Sequence, residues 1–139
     1  MFTRNTTMKI AFIENHLAVR GTTISVYDYA HFNETILGNE SFIITRPFEQ
    51  VSWSVDTDKG VYDKFEKRFK VRYYRVPSDI TNILEEEGAD CAYIQKSGDT
   101  GDNLHSFGRF KLFVHAVFQP RCPHGNMYAG ISEWLNTRF

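Results

Sequence analysis

The chain has 139 residues, of which 42% are hydrophobic and 15% aromatic, enough to bury one core but not two. Its 16 Lys and Arg residues nearly balance 17 Asp and Glu residues, which excludes a general electrostatic binder of nucleic acid or membrane surfaces. The apolar runs are short and interrupted by charge, so we expect no transmembrane segment, and no secretory signal follows Arg4. We therefore expect one cytoplasmic domain over residues 1–139, with Cys91 and Cys122 as thiols.

The first predicted elements are a buried strand and a helix. Residues 10–13 are an uninterrupted apolar run, too short for a helix, which is typical of a strand buried on both faces of a parallel sheet. Thr22 and Thr23 offer hydroxyl caps for a helix that continues to about Leu37. Gly38 is placed to end that helix.

The middle of the chain predicts a strand, a helix and an edge strand. Residues 42–44 form a second buried strand. Tyr62, Phe65 and Phe69 have the spacing that places three rings on one helix face. Residues 71–76 alternate between apolar and polar side chains, which indicates a half-exposed strand near an edge of the sheet.

The next helix is marked at both ends. Ser78 follows a proline and is a plausible cap for the helix that carries Ile80 and Ile83. Gly88 can adopt the left-handed conformation beyond its end.

Three more strands are predicted at residues 91–94, 112–118 and 127–131, with a loop over residues 96–103 and a short helix from Ser132. The alternation of strand and helix predicts an α/β fold. We expect a Rossmann-like three-layer α/β/α domain with a mainly parallel sheet covered on both faces.

This topology predicts where a ligand binds. Ligands of open parallel sheets bind beyond the carboxyl ends of the strands where the strand order reverses, so the first and fourth strands should flank a crevice. The loops that reach it are residues 15–21 and 96–103 and the segment that starts near His115. The helix that opens at Thr22 would point unpaired backbone amides at the crevice, and such amides hold phosphate without a basic protein surface. The sequence therefore predicts a site for an anionic or oxygen-rich ligand.

Each candidate also has a structural interpretation. Residues 20–22 are alternatively a turn and helix cap, and His115 is alternatively a hydrogen-bonded core histidine. Neither a dinucleotide-binding glycine motif nor a P-loop occurs, which disfavours ordinary NAD or ATP binding. His105, Cys122 and His124 lack a second ligand pair at a metal-binding spacing, so we expect no metal.

Two groups in the connection after the second strand remain open between function and structure. Asp56 and Asp58 suit a general base or sugar hydroxyls, but turn chemistry explains them equally well. Phe48, Trp53 and Tyr62 are either a stacking platform for a carbohydrate or rings that close the core under a long loop.

Both ends of the chain resemble one family. The matching stretches are similar to GT-B glycosyltransferases of the group 1, family 4 type, particularly those of large algal DNA viruses. The stretches are residues 9–13, 20–23, 27–39, 115–118, 123–125 and 128–135.

The resemblance implies the N-terminal, acceptor-side Rossmann-like half of a GT-B fold. It implies transfer of a sugar from a nucleotide-sugar co-substrate to a glycan or other acceptor, with no cofactor and no metal. At the matching positions it implies a catalytic role near the transferred sugar for His115 and binding of the donor diphosphate by Arg20, Gly21 and Thr22. The loops expected to reach the crevice add Lys96, Ser97 and Gly98 as further donor-binding candidates, and Asn15, His16 and Asp99 as acceptor-binding candidates.

The C-terminal donor-binding half of that family, with its two glutamates in an E-x7-E motif, is not found in the 139 residues. We therefore expect catalysis to require a C-terminal half in cis or in trans. Two alternatives are a freestanding module that binds a sugar or nucleotide-sugar without turnover, and an α/β domain that binds only protein.

Overall fold

The computed structural model of the chain describes residues 7–97, 99–118 and 122–130. Their elements are β1 (Lys9–Ile13), α1 (Gly21–Thr35), β2 (Glu40–Thr45), α2 (Phe48–Val51), α3 (Lys59–Arg68), β3 (Lys70–Tyr73), α4 (Ser78–Glu87), β4 (Cys91–Lys96), β5 (Lys111–Ala116) and β6 (Met127–Gly130). The strands form one sheet in the order β3-β2-β1-β4-β5-β6, and every pairing is parallel. This is the predicted Rossmann-like α/β fold. No helix of the described residues has the length and apolar character needed to cross a membrane.

One face of the sheet is covered by α1 and α3. Val26 and Ala30 of α1 and Tyr62 and Phe65 of α3 belong to the same buried cluster as Phe12 of β1. Because successive side chains of a strand point to opposite faces, the neighbours of Phe12 on β1 belong to the second cluster, on the other face. The predicted three-layer arrangement is confirmed around β1.

The opposite face is covered partly by α4 and partly by a loop. Ile80 and Ile83 of α4 share a buried cluster with Leu104, Phe107 and Phe110 of the connection between β4 and β5. In the ranges that the structure describes, no helix connects β4 to β5 or β5 to β6. Within these ranges the alternation of strand and helix stops at β4, and apolar side chains of the loop between β4 and β5 bury this face instead.

Most predicted strands are confirmed, with differences at their ends. β3 ends at Tyr73 rather than at Val76, and the next residue, Tyr74, turns into the core and is fully buried. β5 ends at Ala116 rather than at Phe118. Ile131, the predicted end of β6, and the helix predicted from Ser132 lie outside the described residues.

The start of α1 differs from the prediction. The helix begins at Gly21, and Arg20 precedes it as an N-cap without a side-chain hydrogen bond, so neither predicted threonine caps it. The Thr23 hydroxyl instead accepts a hydrogen bond from the Ala18 N–H and donates one to Glu14. Burial of Glu14 beside the helix start diverts this hydroxyl from capping. α1 ends at Thr35, earlier than Leu37.

The ends of α4 follow the prediction in part. Ser78 is the first helical residue and makes no capping hydrogen bond. The carboxylate of Asp79 accepts hydrogen bonds from the N–H groups of Arg75 (2.9 Å) and Val76 (3.2 Å) in the turn before the helix, so Asp79 has the stabilising role expected of Ser78. At the other end, Gly88 has a φ of 65°, the predicted left-handed conformation.

Candidate functional site

The strand order reverses at the carboxyl end of β1. β1 pairs with β2 on one side and with β4 on the other, so the connections after β1 and β4 leave the sheet on either side of a crevice. Two adjoining hollows lie at this edge, one of about 340 Å³ and one of about 430 Å³. Their shared lining residues are Thr22, Gln95, Val117 and Phe118. The predicted crevice is therefore present at the predicted strand pair.

The smaller hollow carries ionisable side chains and is called the charged hollow below. Arg20, Arg46 and Lys96 line it together with the carboxylates of Glu14 and Asp102. Three cationic groups face two acidic groups. This composition suits an anionic ligand held locally by a protein whose overall charge is close to zero.

Glu14 follows β1 directly and is 1% exposed. Its carboxylate accepts hydrogen bonds from the N–H of Asn15 (3.0 Å), the hydroxyl of Thr23 (3.2 Å) and Nη2 of Arg20 (3.2 Å). Burial raises the pKa of Glu14, and the nearby charge of Arg20 opposes that shift without cancelling it. Sequence analysis missed this residue, although its position at the end of the first strand was the available signal.

Arg20 and the start of α1 form the wall next to Glu14. Apart from its bond to Glu14, the guanidinium of Arg20 is 3.5 Å from the carbonyl of His16, and its buried Nε has no partner among the described residues. The first N–H groups of a helix lack intrahelical acceptors, and α1 has neither a capping side chain nor an acidic residue in its first turn. No capping side chain therefore competes for the N–H groups at the start of α1, where Gly21 and Thr22 lie.

Arg46 follows β2 and was also missed by sequence analysis. Its guanidinium lies over the ring of Tyr74, 5.7 Å from the ring centre, and its buried Nε has no partner in the described part of the chain. The hydroxyl of Tyr62 donates to the carbonyl of Arg46 (2.8 Å) and accepts from the N–H of Leu17 (3.4 Å). One buried phenol therefore joins the segment after β1 to the segment after β2.

Lys96, at the end of β4, has its three ammonium protons engaged within the protein. Nζ donates to Oδ1 of Asp102 (2.8 Å), the carbonyl of Leu104 (3.0 Å) and Nε2 of His124 (3.0 Å). Nδ1 of His124 is 2.6 Å from the carbonyl of Cys122, which makes Nδ1 the protonated nitrogen and Nε2 the acceptor. Lys96 therefore fixes both connections beyond β4, and contact with a phosphate would require it to give up one of these bonds.

The larger hollow is called the aromatic hollow below. Its lining residues are Gly21, Thr22, Ser25 and Tyr29 from α1 with Gln95, His115, Val117 and Phe118 from β4, β5 and the segment after it. None of these is Asp, Glu, Lys or Arg. The two candidates that the sequence placed at opposite ends of the chain, Gly21 and His115, border this same hollow.

His115 lies on β5 beside Gln95 of β4. Nδ1 of His115 is 2.8 Å from the hydroxyl of Tyr93, and the ring of Tyr29 is stacked on the imidazole at 6.4 Å and 17°. Burial lowers the pKa of His115, so the ring is neutral at pH 7. His115 is therefore hydrogen-bonded as a core histidine would be, and it also faces a ligand-sized space.

Some of the other predicted site residues line a hollow and others do not. Asn15 and Ser97 line the charged hollow. Asp99 lines neither hollow, and Gly98 lies outside the described residues.

His16 lines neither hollow and fixes the loop after β1. Its Nε2 is 3.3 Å from Oδ1 of Asp56, and its Nδ1 is 3.1 Å from Nδ2 of Asn15. Burial lowers the pKa of His16, with Asp56 opposing the shift. The Ser54 hydroxyl donates to the same oxygen of Asp56 at 2.7 Å. This arrangement favours a structural role for Asp56. His16, predicted to bind the acceptor, is not among the residues that line the crevice.

Of the remaining candidates, Asp58, Phe48 and Tyr62 have structural roles, and Trp53 does not contribute to the core. Oδ1 of Asp58 accepts hydrogen bonds from two N–H groups at the start of α3 and caps that helix. Phe48 and Tyr62 contact each other edge-on and contribute to the core, whereas Trp53 is 81% exposed. No group of three or more His, Cys, Asp and Glu side chains in the described ranges is arranged to hold a metal ion.

The chain matches none of the protein-family models, curated proteins or solved structures with which it was compared.

Proposed function

We propose that this chain is the N-terminal, acceptor-side domain of a GT-B glycosyltransferase that transfers a sugar from a nucleotide-sugar to a glycan or another acceptor. Turnover would require a C-terminal half in cis or in trans. The observation that best supports the proposal is the hollow shared by Gly21 and His115, which belong to the two separate stretches that resemble the family.

The charged hollow suits the diphosphate of such a donor. The start of α1 offers backbone N–H groups and the positive end of the helix dipole. Arg20 and Arg46 line the same space, and each retains a buried Nε with no protein partner in the described ranges. Charge-assisted hydrogen bonds from such groups would stabilise the diphosphate as it leaves.

The adjoining aromatic hollow suits the neutral part of the donor or acceptor. A sugar ring has apolar faces and hydroxyl groups at its edge, and this hollow combines the rings of Tyr29 and Phe118 with the polar side chains of Ser25 and Gln95. A nucleotide-sugar joins a neutral ring to an anionic diphosphate. The neutral ring matches the aromatic hollow, and the diphosphate matches the adjoining charged hollow.

Titration of the full chain with uridine, guanosine and adenosine diphosphate sugars tests this proposal. We expect saturable binding of at least one of them, weakened about tenfold or more by Arg20→Gln and by Arg46→Gln. Arg75→Gln is the matched control, because Arg75 is 65% exposed and pairs with Glu49 on the surface.

Because Arg20 also pairs with the buried Glu14, loss of binding must be separated from loss of folding. The double variant Glu14→Gln/Arg20→Gln removes both charges together and should fold while binding weakly. Equal affinity in the Arg20, Arg46 and Arg75 variants, or no saturable binding of any nucleotide-sugar to the folded chain, would contradict the proposal.

A further inference from the structure

A chain of three hydrogen-bonded side chains lies beside the aromatic hollow. Nε2 of Gln95 is 3.1 Å from the hydroxyl of Tyr93, and that hydroxyl is 2.8 Å from Nδ1 of His115. Gln95 is 6% exposed, and the rings of Tyr29 and Phe12 lie against Tyr93. The hydrogen-bonded side chains are therefore buried at the Gln95 end and half-buried at Tyr93 and His115.

The donors and acceptors of this chain follow from the first link. An amide nitrogen only donates, so the oxygen of Tyr93 accepts from Gln95. The single hydroxyl hydrogen of Tyr93 then remains, and Nδ1 of His115 is its only further hydrogen-bond partner in the described ranges. An imidazole nitrogen that accepts carries no hydrogen, so the neutral ring of His115 carries its proton on Nε2.

The opposite nitrogen of His115 is available for a ligand. Nε2 makes no hydrogen bond within the described part of the protein, and His115 lines the aromatic hollow. No Asp, Glu, Lys or Arg side chain shares that lining. A donor N–H in such surroundings pairs best with a neutral oxygen, because an anion would gain more at the adjoining charged hollow.

We propose that Tyr93, held by Gln95, is a positioning residue that fixes His115 as its Nε2–H tautomer, so that the aromatic hollow presents a hydrogen-bond donor to a neutral hydroxyl of the ligand. The identity of the ligand as a sugar rests on the proposed function. The tautomer is a property of the free protein and does not depend on it.

Nuclear magnetic resonance of the chain labelled with ¹⁵N-histidine tests the tautomer directly at about pH 8, with His115→Gln used for assignment. We expect His115 to show a protonated Nε2 and an unprotonated Nδ1. His124 provides an internal contrast, because its bonds to Cys122 and Lys96 require a protonated Nδ1. A protonated Nδ1 on His115 would mean that His115 donates to the Tyr93 oxygen instead of accepting from it, and would overturn the proposal.

Tyr93→Phe removes the hydroxyl while keeping the ring. We expect the ¹⁵N signals of His115 to shift toward an average of both tautomers, and unchanged signals would contradict a positioning role. Tyr73→Phe is the matched control, since Tyr73 lies on the edge strand β3 and its hydroxyl contacts Glu66 of α3. If Tyr93→Phe does not fold, Gln95→Leu takes its place. With its donor lost, the Tyr93 oxygen can accept from His115, and we expect more of the Nδ1–H form.

A ligand measurement separates this inference from the proposed function. We expect Tyr93→Phe to weaken the binding of UDP-glucose about three- to tenfold and to leave the binding of inorganic pyrophosphate unchanged. Equal weakening of both probes would contradict the positioning role. Absence of nucleotide-sugar binding in the unsubstituted chain would instead contradict the proposed function, and the tautomer would still be decided by the spectra.

Discussion

Glu14 combines nearly complete burial with three hydrogen bonds and a guanidinium neighbour. Because burial raises its pKa above the ordinary value of 4.5, the folded chain holds this proton to a higher pH than the unfolded chain does. The stability that this group contributes is therefore fully present below pH 4.5 and is lost as the pH rises through the folded pKa.

Glu14→Gln should remove this dependence on pH. A neutral amide has no charge to desolvate and still offers an oxygen to the Thr23 hydroxyl. We expect the free energy of unfolding of the unsubstituted chain to fall, relative to that of the variant, as the pH rises above 4.5 in urea titrations. Glu85→Gln, on the exposed face of α4, should keep the original slope. The same slope in the Glu14 variant would contradict the assignment.

At the scale of elements, Glu87 at the end of α4 joins three pieces of the fold. Its carboxylate contacts Lys9 of β1 (3.2 Å) and Lys70 (2.8 Å) and Arg72 (2.5 Å) of β3. Burial alone would raise the pKa of Glu87, but the hydrogen bonds from these cations outweigh it and lower the pKa to about 2. The resulting stability is present above pH 4.5 and is lost as the pH falls toward 2.

Glu87→Gln should therefore lower the free energy of unfolding by about 2–3 kcal/mol near neutral pH. The difference from the unsubstituted chain should shrink as the pH is lowered toward 2, which chemical denaturation at several pH values measures. Glu86→Gln is the matched control, because Glu86 also contacts Arg72 but its side chain is 62% exposed. We expect that control to cost about 0.5 kcal/mol or less.

Two glycines at the ends of elements have a left-handed backbone, but their surroundings differ. A Cβ at Gly88, after α4, would meet open space, whereas a Cβ at Gly125, before β6, would lie 2.8 Å from the carbonyl oxygen of Leu112. Gly88→Ala should cost about 1 kcal/mol, and Gly125→Ala should cost clearly more because the backbone of β5 cannot yield. Thermal unfolding should place Gly101→Ala, which has neither constraint, within about 0.5 kcal/mol of the unsubstituted chain.

At the scale of the whole molecule, Lys96 secures the two connections that lack a described helix. Its ammonium links β4 to Asp102 and Leu104 on one connection and to His124 on the other. Leu104, Phe107 and Phe110 of the first connection bury the same face of the sheet that α4 covers. One buried cation therefore replaces part of the packing that a crossover helix would supply.

Lys96→Met should loosen these connections selectively. Methionine keeps the apolar volume of the side chain but leaves the three acceptors without their donor, so we expect a loss of about 2–4 kcal/mol. Hydrogen exchange should accelerate at the N–H of Leu104, which donates to Asp102, and remain slow in β1 and β2. Uniform acceleration across the sheet would contradict a local role.

The arrangement of the sheet could be predicted because its central strands are short apolar runs buried on both faces. Residues 10–13 and 91–94 therefore identified the strand pair at the crevice. The expectation that Gly21 and His115 lie beside the same hollow followed from that pair. Glu14 and Arg46 were missed because isolated charged residues after strands are ordinarily exposed, and only tertiary packing brings these two into the lining of the charged hollow. The position of Glu14 directly after the first strand was the one signal that the sequence offered. The bonds of Lys96 also escaped prediction, since its partners come from two loops of no regular pattern.

The phenol of Tyr62 has a consequence for how the crevice can change. It sits on α3, outside the lining of both hollows, yet it ties together the backbone segments that carry Arg20 and Arg46. The backbone positions from which those two guanidinium groups extend are thus held together by a core residue of α3. Substitutions in the packing of α3 would retune the width of the anion-facing opening without altering any residue that touches what is bound there.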